Sequence, residues 1–251
     1  MKKKLEICVD SITSALRAQE GGADRIELCE NLAQGGVTPS AGKIAQAKRL
    51  LQIPVMVLIR PRKGDFLYSD LEFELMLDDI KRAKALNVDG IVSGVLLPDG
   101  NIDKTRTGWL VEAAAPLPFT FHRAFDMCRE PWAAIGELAK LGVKRILTSG
   151  LRPTALEGIN HLRTFTELAG DQISILACSE VTPDTIQPLL EIEGLHEFHA
   201  AVRRPVYSQM AYRGYATMGD ENLDEEFMWH EADLELIKGL RQKLNRAEGS
   251  K

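Results

Sequence analysis

The chain has 251 residues, a hydrophobic fraction of 45%, a charged fraction of 27% and a net charge of −5. It is long enough to bury about three-quarters of the surface an unfolded chain exposes, and its acidic balance argues against non-specific nucleic-acid binding, which needs a basic footprint. Four cysteines without a C-x-x-C pair make no disulfide framework, no apolar run approaches the 18 or so residues of a membrane span, and Glu6 and Asp10 interrupt any signal-peptide core after MKKK; the expectation is a cytoplasmic protein with reduced thiols.

In chain order, short apolar runs predict strands at 5–9, 25–29, 55–59, 90–97, 119–122, 145–149, 174–178 and 196–202. Amphipathic stretches lie between them, with start and stop signals. Thr38-Pro39 reads as an N-cap before a first-turn proline. Ser69 with Glu72, and Thr154 with Glu157, read as capping boxes. Gly142 and Gly170 fall where helices end in a left-handed residue. Pro188 predicts a short or kinked seventh helix. The connection 203–230 is too long for an ordinary loop, which points to function, subunit contact or mobility.

Eight alternations of strand and helix call for a parallel sheet covered by helices. A TIM (β/α)8 barrel and a doubly wound open sheet compete. The first two strands decide between them. In LEICVD, Leu5, Ile7 and Val9 share one face and Glu6, Cys8 and Asp10 the other; in RIELCE, Ile26 and Leu28 oppose Glu27 and Cys29. Strands covered on both faces read as continuous apolar runs, whereas a barrel turns one face inward, towards the site at its C-terminal rim. A single (β/α)8 domain over 1–251 is the expectation, with the polar face inside.

The candidate chemistry sits at predicted strand ends. Arg60 and Arg62 in IRPRKGD suit capture of a carboxylate or phosphate; Arg60 could instead neutralise Glu6 or Glu27, since buried carboxylates need partners. His122, beside Arg123 and two turns of the alternation before Asp126, is placed for acid–base work or for ligating a metal, or simply for packing. His199 is near the rim, but H-x-x-H on a strand points two ways and makes no two-His site. Cys8 and Cys29 sit at similar heights on neighbouring strands, so they could share a soft ion such as Cu(I) or be inert core thiols.

The stretches LEICVDS, GGADRIELCE, GGVTPS, IRPRKGDFLYSD, VSGV, TFHRAFDMC and RILTSG, in that order between about residues 4 and 215, resemble the copper homeostasis protein CutC family. The resemblance implies a TIM barrel, Cu(I) ligands at Cys8 and Cys29, and a pocket with Glu6, Glu27, Arg60, Arg62, His122, Arg123, Asp126 and His199. The chain departs from the family after the seventh strand: Cys178-Ser179-Glu180 stands where a glycine-rich turn is usual, and Ala201 where a serine is usual. Loss of those glycines restricts close approach of an anion, and Glu180 repels one; Arg203 and Arg204 are the available compensation. Three functions compete: copper handling through Cys8 and Cys29, an enzyme acting on a small anionic metabolite, and a catalytically silent barrel serving as a binding or assembly module. In the second, Arg60, Arg62, Arg123 and His199 bind, and Glu6, Glu27, His122 and Asp126 carry the chemistry. In the third, the 203–230 connection serves a homo-oligomer contact.

Overall fold

A computed structural model describes residues 2–218 and 222–249. Eight parallel strands close into a barrel: β1 (Lys4–Val9), β2 (Arg25–Leu28), β3 (Val55–Leu58), β4 (Gly90–Ser93), β5 (Phe119–Phe121), β6 (Arg145–Thr148), β7 (Ser174–Ala177) and β8 (Glu197–Ala200). β1 pairs with β2 on one side and β8 on the other. Around them run α1 (Ile12–Glu20), α2 (Ala41–Leu50), α3 (Asp70–Ala85), α4 (Lys104–Ala114), α5 (Pro131–Lys140), α6 (Ile159–Ala169), α7 (Ile186–Leu190) and α8 (Leu234–Gly249).

The strand faces separate as alternation requires. Leu5, Ile7, Val9, Ile26 and Leu28 are fully or almost fully buried in the large core that also takes Ala15 and Ala18 of α1 and Ile237, Leu240 and Leu244 of α8. The other parity fills the barrel. Cys8, Cys29, Met56, Leu58 and Val92 pack in one apolar group, and Leu147, Leu176 and Cys178 in another. Register then sets the polar neighbours: Glu6 lies opposite Arg25 and His199, and Cys8 opposite Glu27.

Local signals hold with instructive exceptions. Ser69 and Glu72 form the complete capping box of α3, Gly142 follows α5 with φ +89°, and α7, which contains Pro188, has five residues. Thr38 does not cap α2. Its hydroxyl accepts from Arg60 N and donates to Arg60 O, which ties it to the end of β3, and Ser40 caps the helix instead. Thr154 accepts from Glu157 N, but this only closes a turn; α6 starts later because Gly158 packs against the Ser149–Gly150 backbone, where a Cβ would meet Ser149 O at 1.9 Å. The 203–230 connection is not one loop. Its two ends form an antiparallel pair, β9 (Arg203–Tyr207) and β10 (Met228–Ala232). No helix among the described residues is long and apolar enough to cross a membrane.

Candidate functional site

The barrel interior is organised as a line of charge leading up to a pair of thiols. At its lower end Arg145 Nε donates to Glu197 at 2.9 Å, and Arg25 reaches the same carboxylate at 2.6 Å. Arg25 Nε also donates to Glu6. The other Glu6 oxygen lies 2.7 Å from His199 Nδ1, and His199 Nε2 lies 3.7 Å from Glu27. The Cys8 thiol donates to Glu27 at 3.1 Å, and its sulfur is 3.9 Å from that of Cys29. Every strand involved contributes residues of the inward parity, so the line follows from register rather than from any loop.

Sequence reasoning offered Arg60 as one candidate partner for Glu6 or Glu27, and the structure gives Glu6 another. The partner of Glu6 is Arg25, which shares the parity of Glu27 in RIELC and was legible there as a third inward charge. Glu197 and Arg145 were legible in the same way, as the inward residues two before His199 and Leu147. The Arg60 guanidinium donates to Gly36 O and Gly64 O, both at 2.8 Å, and lies over the Phe66 ring, while its Nε is buried without a hydrogen-bond partner among the described residues.

The electrostatics separate the two interior carboxylates. Burial alone would raise both. For Glu6 the Arg25 charge and the His199 hydrogen bond overcome burial and hold its pKa at about 2. Glu27 has no arginine of its own; burial and the nearby Glu6 charge outweigh His199 and raise its pKa. Burial would lower His199, but the hydrogen bond to Glu6 and the Glu27 charge raise it instead. The Cys8 thiol is pushed well up by its contact with the Cys29 sulfur, by burial and by Glu27. The Cys8 thiol is therefore held protonated beside the Glu27 carboxylate and the Cys29 sulfur, although a His199 nitrogen stands within 4.8 Å.

Above the thiols a cavity of about 440 Å³ opens at the C-terminal end of the strands, the end at which barrels of this type carry their sites. Cys8, Glu27, Arg60, His122, Arg123 and His199 of the expected residues line it. Others do not. Glu6 lies one layer below. Cys29 packs against the wall with its thiol towards Val9 O at 3.5 Å. Arg62 is outside, pairing with Glu72 at 2.6 Å and Asp65 at 3.2 Å and bracing its own loop. Asp126 is behind the wall: β5 ends at Phe121, a 3-10 turn over Arg123–Met127 breaks the alternation, and the carboxylate accepts from Arg123, Thr148, Ser149 and Leu151. His122 Nδ1 accepts from Ala124 N at 3.2 Å, and burial with the Arg60 charge lowers its pKa to about 3. It is a neutral imidazole with Nε2–H as its free donor. Gly94 makes room for that ring, since a Cβ there would meet Nδ1 at 2.7 Å.

Two donor sets could hold a metal. The sulfurs of Cys8 and Cys29 form a soft pair. Cys8 Sγ, a Glu27 oxygen and a His199 nitrogen form a mixed set, all within 4.8 Å of one another. Sulfurs about 2.3 Å from one shared ion stand roughly 3.8 Å apart at a tetrahedral angle, which is close to the Cys8–Cys29 separation and far beyond a disulfide.

The pattern of the CutC family matches residues 3–204. A CutC family protein of Chromobacterium violaceum is 43% identical over 98% of this chain and 100% of its own. The human copper homeostasis protein cutC homolog is 44% identical over 94% of this chain and 87% of its own. The crystal structure of CutC from Streptococcus agalactiae superposes with a TM-score of 0.75 at 36% identity, covering 78% of this chain and 97% of that one.

Proposed function

The chain belongs to the CutC family, and on that footing we propose that it binds Cu(I) in copper homeostasis, using Cys8 and Cys29 at the floor of the barrel mouth. The observation that carries this reading is the pair of sulfurs 3.9 Å apart with Cys8 facing the cavity. Thiolates are the ligands that select Cu(I) over harder ions. Binding as two thiolates would displace one proton from each cysteine; Glu27, already the acceptor from Cys8, is the first station for the Cys8 proton, and the Cys29 proton leaves its bond to Val9 O for solvent in the mouth. His199 supplies the nitrogen of the mixed set and, once it gives up its proton, would serve as a third ligand.

An anaerobic Cu(I) competition titration tests the reading. Tight one-to-one binding by the wild type, lost in both Cys8→Ser and Cys29→Ser, supports it. Binding that survives Cys29→Ser but not His199→Asn moves the ion to the mixed set, where zinc is the better occupant. Binding unchanged by either cysteine substitution rejects the thiol site.

The size of the cavity favours a second reading, an enzyme acting on a small anionic metabolite. A volume of about 440 Å³ is far more than an ion needs and falls in the range of small-molecule sites. In this reading His122, held neutral, donates through Nε2–H to a substrate oxygen, and Glu27 moves the proton. Native mass spectrometry of the wild type beside His122→Ala tests it: a small molecule retained by the first and lost from the second supports it, and an empty wild type counts against it.

A further inference from the structure

We propose that the rim between β7 and β8 is a phosphate-binding subsite, formed by the backbone amides of Ser179, Glu180 and Val181 together with those of Ala201 and Val202. The proposal does not depend on copper at Cys8 and Cys29; it names a ligand class for the cavity above them.

Among the described residues, none of these five amides has an acceptor, although the amide just before the first group, Cys178 N, donates to Thr148 O at 3.0 Å. All five residues line the cavity. Val181 and Val202 are 1% and 6% exposed, so their donors sit where unpaired amides are rare in native proteins. The peptide planes are fixed from behind. Ser179 O accepts from Ala155 N at 3.0 Å, and Glu180 O accepts from the Thr185 hydroxyl at 2.5 Å. With both carbonyls tied to the outer side of the loop, the intervening N–H groups are left towards the mouth.

The backbone is bent for this arrangement at some expense. Ser179 has φ +74° and Glu180 φ +54°, both in the left-handed region, and neither is glycine. A tight turn of this kind leaves successive N–H groups on one side, an arrangement that binds anions in other turns. The turn thus follows a glycine-type path with two residues that are not glycine. Arg203 and Arg123 line the same cavity and supply positive charge. The Ser179 hydroxyl, which reaches only the Cys178 sulfur at 3.9 Å, is a further donor. Against them stand two carboxylates of the lining, Glu27 at the floor and Glu180 at the rim. Glu180 is the one that opposes an anion at these amides. Phosphate oxygens are strong acceptors with up to two charges to distribute, which matches several converging N–H donors better than a single carboxylate does.

The test uses the whole protein labelled with ¹⁵N, titrated at fixed pH and matched ionic strength with inorganic phosphate and, separately, with glycerol 3-phosphate. The amide resonances of 179–181 and 201–202 shift saturably with at least one of them if the subsite exists. Equal affinity for the two assigns the site to free phosphate; about tenfold tighter binding of the ester assigns it to a phosphate monoester whose body fills the cavity. Glu180→Gly, which removes the opposing charge and relaxes the turn, binds several-fold more tightly, and Arg203→Gln several-fold more weakly. Amides that stay still at millimolar ligand overturn the proposal. So do shifts that Glu180→Gly leaves at wild-type affinity, because the ion would then sit elsewhere.

Discussion

His199 Nδ1 lies 2.7 Å from the Glu6 carboxylate across the seam where β8 closes onto β1. The two residues are 193 apart in the chain, and the contact exists only when the barrel is shut. With Arg25 on the other oxygen, Glu6 becomes the junction of the interior charge line.

Removing that junction leaves Arg25 and His199 without their shared counter-charge in a site where Glu6 is 2% exposed. Glu6→Gln is expected to destabilise the fold by about 3–5 kcal/mol, the usual result of breaking a buried ion pair from one side. Urea unfolding checks it; a loss below about 1 kcal/mol would show that the carboxylate is dispensable.

The same pair makes a pH prediction. Glu6 titrates at about 2 in the folded chain, below the ordinary value of 4.5. Its ionised form therefore stabilises the fold fully above about pH 4.5, and that contribution disappears as pH falls towards 2. The stability gap between wild type and Glu6→Gln should narrow as pH falls from about 4.5 towards 2, and should also shrink above about pH 6.5 as His199 loses the proton that Glu6 helps it hold. Thermal denaturation of both proteins across this range decides the matter, and a gap that widens below about pH 4.5 would contradict the assignment.

Metal binding should depend on pH in the opposite region. The Cys8 thiol is held protonated well above its ordinary range, so a metal must displace that proton. Apparent Cu(I) affinity should rise about tenfold per pH unit for each proton released while the free thiol stays protonated. Competition titrations between pH 6 and 8 measure the slope; a flat profile would mean that the ion is not bound as a Cys8 thiolate.

Asp126 separates a structural from a catalytic role. Its carboxylate joins the 3-10 turn after β5 to the loop after β6 through Arg123, Ser149 and Leu151. Asp126→Asn turns acceptors into donors facing donors and should cost about 2–3 kcal/mol. Hydrogen exchange should show the loss first in the 148–152 loop. Full stability in the variant would return Asp126 to the list of chemical candidates.

The barrel was legible in the strands themselves. LEICVD and RIELCE show an apolar and a polar face, and a closed sheet turns the polar one inward, whereas a doubly wound sheet covers both faces with helices and needs both apolar. The inward thiols and carboxylates followed from the same alternation, because a period of two assigns each residue of a strand to one side once a neighbour is placed. What this reasoning could not reach is set by distance along the chain. Register between β1, β2 and β8 chose Arg25 for Glu6 and left Arg60 to hold backbone carbonyls, and no local pattern fixes how one strand slides against another. Asp126 lost its place in the pocket for a related reason: the strand stops at Phe121, and parity means nothing past its end. At the rim the sequence indicated a turn deprived of glycine, whereas the fold kept the left-handed path at Ser179 and Glu180. Packing against Ala155 and Thr185 holds those two carbonyls, and long-range contacts of this kind override local preference. Sequence alone thus determined the architecture and which side chains face inward; tertiary structure decided which of them meet.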